Sequence, residues 1–384
     1  DPESWHAAWK EQAERAEKIA DEAAIRGLRP LAKSAYLRSS NYYRAAAYLF
    51  FNDDLRVVPL CEKSVQTFER AASMMNGEVL TVDIPYENGH SLPGFLYLPP
   101  KHEQRPCGTP ILVYVPGLDS TKEELHYLFG ETGLALGYAV LCFKGPGQGL
   151  LLKKHGLHLR PDFEVVTGLA LDYVEKLSVS RPELQLDLNR IAIAGAVTSG
   201  YYALRSATDR RIKACIAIDP FYSLWELATS RVPKVFFDLW DSGWIADWFV
   251  DWSTNFHANN SFPARWETTT GKAGMGVDTP SAMLRRFKEF SLDNSKEGKI
   301  LDRVHCLVLL TGSSAGGEVY STAEAGALKI YNGLSQVAEA DKETWIPDNA
   351  SDGGLTAHVG AWPLLAQKCF EFLDKHFDVK RNEV

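Results

Sequence analysis

The stretch "RIAIAGAVTSGYYALR", residues 190–205, decides how the rest of the chain is read. An apolar run, an abrupt small-residue turn and a helical segment follow one another without a spacer. That order is the local architecture of a nucleophile elbow, G-x-S-x-G, in which a serine stands on a sharp strand-to-helix turn. Two residues after Gly195, where the serine belongs, stands Val197, and Ser199 fills the second glycine position. Valine has no lone pair to attack a carbonyl with. Removal of the nucleophile from a serine hydrolase costs about 10⁶ in rate, so ordinary ester hydrolysis at Val197 is not expected. A β-branched residue is also unfavourable where φ is positive.

Outward from the elbow, strands and helices alternate. "ILVYVPG" and "YAVLCF" precede it; "KACIAID" and "CLVLLTG" follow it. Such apolar runs suit strands buried on both faces of a mostly parallel sheet. Residues 1–75 read as helical throughout, residues 76–222 and 301–384 as the two parts of an α/β core, and residues 223–300 as a helical insert.

The chain has 384 residues, 45% hydrophobic and 23% charged, with a net charge of −8. This composition can bury a substantial core, and the acidic balance argues against a nucleic-acid binder. No apolar run is long enough to span a bilayer. The charged helical start, which lacks an initiator Met, does not read as a signal peptide, and a cytoplasmic protein is expected. The six scattered cysteines read as reduced, mostly buried thiols. No metal-ligand spacing, dinucleotide fingerprint or P-loop occurs, so no cofactor and no metal are expected.

Five motifs come in order: "YVPGLDSTKEEL" (114–125), "GPGQG" (145–149), "RPDFE" (160–164), "AGAVTSGYYALRSA" (194–207) and "RIKACIAIDP" (211–220). Together with "LRSSNYYRAAAYLF" (37–50) they resemble the α/β-hydrolases of the fungal yellowish-green pigment type, which shorten polyketides by C–C cleavage. The dihydropseudooxynicotine hydrolase and FrsA-like esterases share that plan. The resemblance implies an α/β-hydrolase fold, a mostly parallel sheet flanked by helices, with a helical N-terminal domain and a helical cap insert. It also leaves room for a homodimer. The departures fall on the chemistry. Val197 replaces serine, Ala315 stands where the acid loop has Asp, and Lys144 replaces the acid of F-D-G-P-G-Q-G. The C-terminal histidine survives as His358, in "TAHVGAW".

What remains is independent of a serine hydroxyl. The oxyanion hole of this fold is built from backbone N–H groups, here those of Thr198 and Leu118. His358 is the candidate proton shuttle, with Asp219 or Glu318 as its orienting acid. Asp119 and Lys144 are candidate pocket residues, although Asp119 also suits a helix cap and Lys144 a solvated loop. Trp240, Trp244, Trp248 and Trp252 recur every four residues, a stripe on one helix face. They read either as cap packing or as an aromatic roof over a large ligand, with Val197 as a dry floor.

Three functions are open. The leading one is a non-hydrolytic enzyme that cyclises or rearranges a polyketide-like, small hydrophobic or polycyclic substrate. A catalytically inactive binder of a hydrophobic ligand or partner protein is the second. The third is a C–C or ester hydrolase that uses activated water or Ser199.

Overall fold

The computed structural model describes residues 1–51, 53–103, 108–230, 232–293, 298–315 and 323–381. Eight strands form one sheet: β1 (Glu78–Pro85), β2 (Ser91–Leu98), β3 (Thr109–Tyr114), β4 (Ala139–Phe143), β5 (Leu186–Ala196), β6 (Ile212–Ile218), β7 (Leu307–Thr311) and β8 (Lys342–Trp345). Their spatial order is β1-β2-β4-β3-β5-β6-β7-β8. β2 pairs antiparallel with β1 and with β4, and every pair from β4 through β8 is parallel. The period-2 pleat of the central strands sorts side chains into two cores. Ile111, Val113, Leu141, Phe143, Ile191 and Ile193 pack on one face. Leu112, Tyr114, Val140, Cys142, Ala192 and Ala194 pack on the other. Both faces are dry, which explains why these strands read as continuous apolar runs.

Three helices precede the sheet: α1 (Pro2–Ile25), α2 (Arg29–Tyr48) and α3 (Val57–Ala72). α1 turns Ala13, Ala16, Ala20 and Ala23 inward, one stripe of methyl groups that allows α2 a close approach. Ser40 and Ser64 each donate their hydroxyl to the other's carbonyl at 2.8 Å, joining α2 to α3 without an orphaned polar atom. The helices then dock on the sheet through Phe68 against Phe95 and through the Tyr127 hydroxyl on the Leu37 carbonyl.

Further helices alternate with the strands: α4 (Glu131–Ala135), α5 (Gly149–His155), α6 (Glu164–Ser180) and α7 (Thr198–Ser206). Between β6 and β7 the chain adds α8 (Leu224–Thr229), α9 (Lys234–Asp241), α10 (Asp247–Asn260), α11 (Phe262–Met275) and α12 (Pro280–Phe287). α13 (Ala323–Gly333) and α14 (Trp362–His376) complete the core. No helix among the described residues is long and apolar enough to cross a membrane.

The insert corrects the reading of the tryptophan stripe. α9 stops at Asp241, and Gly243, with φ of 81°, ends its turn. Glycine at a positive φ is the usual helix stop, and it resets the phase between Trp240 and Trp248. Trp240 and Trp244 therefore do not share a helix face with Trp248 and Trp252 of α10. Trp240 is buried against Trp225 and Phe237, and its indole N–H donates to Asp247. Trp244 and Trp248 face solvent, 85% and 69% exposed, and Trp252 is exposed as well.

At the elbow, Val197 has φ of 54° and ψ of −107°. The strain the sequence warned of has not relaxed. Its N–H donates to the Ile218 carbonyl at 2.8 Å and its carbonyl accepts from Tyr201 at 3.1 Å, so β6 and α7 impose the conformation. A non-glycine residue held in such a region costs about 1–3 kcal/mol.

Two stability outcomes follow from this framework. Glycine should stabilise the folded state relative to alanine at position 197 by about 1 kcal/mol in denaturant unfolding, because only glycine escapes the strain. Alanine more stable than glycine there would show that the turn is not strained. The second concerns His126, packed among Phe68, Tyr97 and Tyr127 with neither ring nitrogen hydrogen-bonded. Burial pushes it down to about 4, against an opposing pull from Glu131. The folded state therefore resists protonation that the unfolded chain accepts near pH 6.5, and stability falls as pH drops from 6.5 toward 4. The loss should reach roughly 3 kcal/mol, and His126→Leu should remove that part of the slope.

Candidate active site

The elbow sits where the loops after β3, β4, β5 and β6 meet. Gly195 and Gly200 make the turn sterically feasible. A Cβ on Gly195 would lie 2.1 Å from the Ser199 carbonyl oxygen, and one on Gly200 would lie 2.9 Å from that of Ile218. Ser199 does not offer a substitute nucleophile. It is buried; its Oγ accepts from the Ala196 N–H at 2.7 Å and donates to the Ala196 carbonyl at 2.8 Å. That hydroxyl staples the turn.

The backbone donors are in a different state. Among the described residues the Thr198 and Leu118 amides have no intramolecular acceptor. Thr198 opens α7, so the partial positive end of the helix reinforces its amide. The loop carrying Leu118 passes over the elbow: a Cβ on Gly117 would sit 4.0 Å from both the Ala196 carbonyl oxygen and Ser199 Oγ. Val197 and Thr198 are half-buried, which leaves this apex reachable.

Leu118 also lines a cleft between the sheet, the N-terminal helices and the insert. Arg44 and Tyr48 of α2, Cys61 of α3, Asp119 and Glu123 after β3, Lys144 after β4, and Trp266 of α11 contribute to its walls. Tyr48 joins the three parts. Its hydroxyl donates to Asp119 at 2.9 Å, its carbonyl accepts from the Trp266 indole at 3.0 Å, and the two rings lie 5.1 Å apart. Asp119 is thus a clamp point at the exposed rim and not a helix cap. Trp266, which the stripe did not include, is the cleft's tryptophan. Trp240, Trp244 and Trp248 are not in its wall, and neither is Val197, expected as its floor.

Lys144 is not a solvated loop lysine. It is 2% exposed and stands 3.6 Å from Glu123, whose other oxygen receives Lys122 at 2.6 Å. Neither Lys122 nor Glu123 stood out in the sequence, because adjacent opposite charges usually mark a wet surface. Gln148 fixes the loop that follows Lys144. Its Oε1 accepts from the Gly145 N–H at 2.6 Å, and its Nε2 donates to the Pro116 carbonyl at 2.7 Å. The lysine loop and the Leu118 loop are therefore one hydrogen-bonded unit. Glu164, in "RPDFE", has a structural part, gripping Arg205 through both carboxylate oxygens at 2.6 Å.

His358 and Asp219 come together at the ends of β8 and β6. Nε2 of His358 lies 3.8 Å from Asp219 Oδ1, with both side chains buried. The ring stacks on Trp345, with centroids 4.5 Å apart. Its Nδ1 is 2.5 Å from the Gly353 carbonyl, which can only accept, so Nδ1 carries the proton. Nε2 therefore accepts from the Thr311 hydroxyl at 2.6 Å. Asp219 Oδ2 accepts from Ser313 Oγ and from the Ala357 N–H, while Oδ1 has no hydrogen-bond partner. Burial holds His358 below its ordinary value against the pull of Asp219, which keeps the ring neutral near pH 7. His358 does not line the cleft. Glu318, the other acid considered, lies outside the described residues. Ala315 donates its N–H to Gly354 and brings no acid.

The backbone records the same concentration of constraint. Val197, Asp219, Ala357 and His358 all have positive φ, at 54°, 44°, 53° and 51°. Such outliers gather at working sites because only the surrounding structure can hold them. Among the described residues no cluster of metal-ligating side chains occurs.

Known proteins agree with this frame. Residues 3–242 match the family model described as "Esterase FrsA-like". An α/β hydrolase, xenA of Xenoacremonium sinensis, is 58% identical over 384 residues, covering all of this chain and 90% of its own length. The α/β hydrolase gkaG of Penicillium citrinum is 59% identical with the same coverage, and the hydrolyase ccsE of Aspergillus clavatus is 43% identical. Among solved structures, the 2,6-dihydroxy-pseudo-oxynicotine hydrolase superposes with a TM-score of 0.72 at 20% identity, over 98% of this chain and 90% of that one. The chain belongs to the FrsA-like family of α/β-hydrolase-fold enzymes.

Proposed function

We propose that this enzyme activates a carbonyl without forming an acyl-enzyme and closes a ring in a polyketide-like substrate by enolate addition. The observation that carries the reading is the elbow itself. Val197 keeps the strained backbone of a nucleophile, and the Thr198 and Leu118 amides stay without intramolecular acceptors, yet Val197 has no attacking atom and the Ser199 hydroxyl is spent on Ala196. Each well-aimed oxyanion donor is worth about 3–4 kcal/mol in a transition state. Those donors serve an enolate or an aldol alkoxide as well as a tetrahedral intermediate.

The steps balance as follows. A base removes the proton from the carbon between two carbonyls. The enolate carbon bonds to a second carbonyl of the same molecule, and the new alkoxide takes up a proton. Loss of water completes a condensation. Some relatives carry the name hydrolyase, a word for the gain or loss of water.

His358 is the base in this reading. It is neutral, and Asp219 Oδ1 stands 3.8 Å away with no partner, ready to receive the charge. The role requires the ring to exchange Thr311 for substrate, since Nε2 is occupied in this structure.

With a linear substrate that joins a 1,3-dicarbonyl to a distant aldehyde or ketone, the enzyme should give a cyclic product of equal mass, or lighter by one water. A product split into two fragments would contradict the reading. The acid limb of kcat/KM should fall below pH 6.5, because burial lowers His358, and His358→Gln should abolish that limb with a rate loss of about 10²–10⁴. A limb that survives the substitution would remove His358 from the chemistry.

A further inference from the structure

The cleft contains a positive charge that its own buried groups do not balance. Lys122, Glu123 and Lys144 form a cluster in which every side chain is at most 4% exposed. Glu123 is bound on one oxygen by Lys122 and approached on the other by Lys144. Although burial alone would raise the Glu123 carboxyl, Lys122 and Lys144 outweigh it and hold it at about 2. One carboxylate thus serves two ammonium groups. Lys122 has a further partner, its Nζ 3.5 Å from the centroid of the Phe95 ring. Of the two ammonium groups, Lys144 is the one on the cleft wall, where a ligand can reach it. The neighbouring charges do not complete it: Lys153 on the same wall is a further cation, Arg44 is matched by Glu124 at 3.2 Å, and Asp119 holds Tyr48 at the exposed rim. A buried charge is tolerated when it is paired and costly when it is not.

Gly149 leaves the lysine side chain its place against the loop. Its φ is 47°, and a Cβ there would stand 2.9 Å from Lys144 Nζ. Gln148 meanwhile ties the lysine loop to the loop that presents the Leu118 amide. A cation and an oxyanion donor are fixed on the walls of one mostly apolar cleft.

We propose that Lys144 is an anion-binding group and that the substrate is held as a delocalised oxyanion, the enolate of a 1,3-dicarbonyl, with one oxygen on Lys144 Nζ. The assignment rests on the carbonyl-activation reading and names its substrate class. It supplies a reason for acid-to-lysine replacement at position 144: an aspartate would repel the ion that the reaction passes through.

Binding tests it without any need for turnover. The probes are 2-decanoyl-1,3-cyclohexanedione, ionised at pH 7, its neutral enol methyl ether, and decanoate, each titrated against tryptophan fluorescence. The unaltered protein should bind the enolate at least tenfold more tightly than the ether. Lys144→Met should erase that preference and leave ether affinity unchanged, while Lys144→Arg should keep most of it. Lys144→Met leaves a one-to-one Lys122–Glu123 pair, and unchanged ether binding certifies its fold. Gly149→Ala, which crowds the ammonium without deleting it, should weaken the enolate severalfold and serves if the methionine variant is unstable. An enolate preference that persists in both variants would overturn the proposal. Decanoate binding as tightly as the enolate would overturn the 1,3-dicarbonyl assignment. A protein with the preference but no ring closure retains this inference and loses the cyclisation reading; closure without the preference does the reverse.

Discussion

One constraint organises this molecule: the backbone of Val197 is held at positive φ by a hydrogen bond from its N–H to Ile218 and by the start of α7. Relaxing it would turn the first amides of α7 away from the loop after β3. The close approach of α7 to β5 and β6 enforces it, through glycines at 195 and 200 that leave no space for a side chain. Ser199 secures the same turn from inside, with its hydroxyl spent on Ala196. None of these contacts needs a serine hydroxyl, so the strained turn stands without a nucleophile. Its persistence, with two amides left without internal acceptors, supports a site where polarisation survives and acylation does not.

The site divides into two halves. The cleft side brings together the Leu118 amide, Lys144 and the Tyr48–Asp119–Trp266 contact. The other half is the His358–Asp219 pair beneath Thr311, at the ends of β6, β7 and β8. In a serine hydrolase the nucleophile would join such halves. Here Val197 holds the nucleophile's place in the turn. On the proposed reading, proton transfer and charge stabilisation fall to separate groups, and His358 releases Thr311 to take part.

Much of the frame was legible because it is local. Apolar runs buried on both faces announce parallel strands, and the spacing of Gly195, Val197 and Ser199 announces the turn. The alanine stripe of α1 announces the N-terminal helices. What was not legible depends on partners far along the chain. Lys144 drew attention as a replaced acid, but its burial depends on Glu123, a residue of another loop. The tryptophan stripe failed because spacing by fours assumes one unbroken helix, and a single glycine at 243 breaks it. Trp266, which does reach the cleft, carries no periodic signal. His358 was visible as the histidine before the last helix. Its tautomer and its bond to Thr311 belong to tertiary packing that no local pattern encodes.

The central claim, that this elbow works without a covalent intermediate, is tested most directly by the mass of the intact protein after exposure to a long-chain fluorophosphonate. The account predicts no phosphonyl adduct, because Val197 cannot react and the Ser199 hydroxyl is bound on both sides by Ala196. A stoichiometric adduct mapped to Thr198 or Ser199 would contradict it and return the protein to the covalent hydrolases.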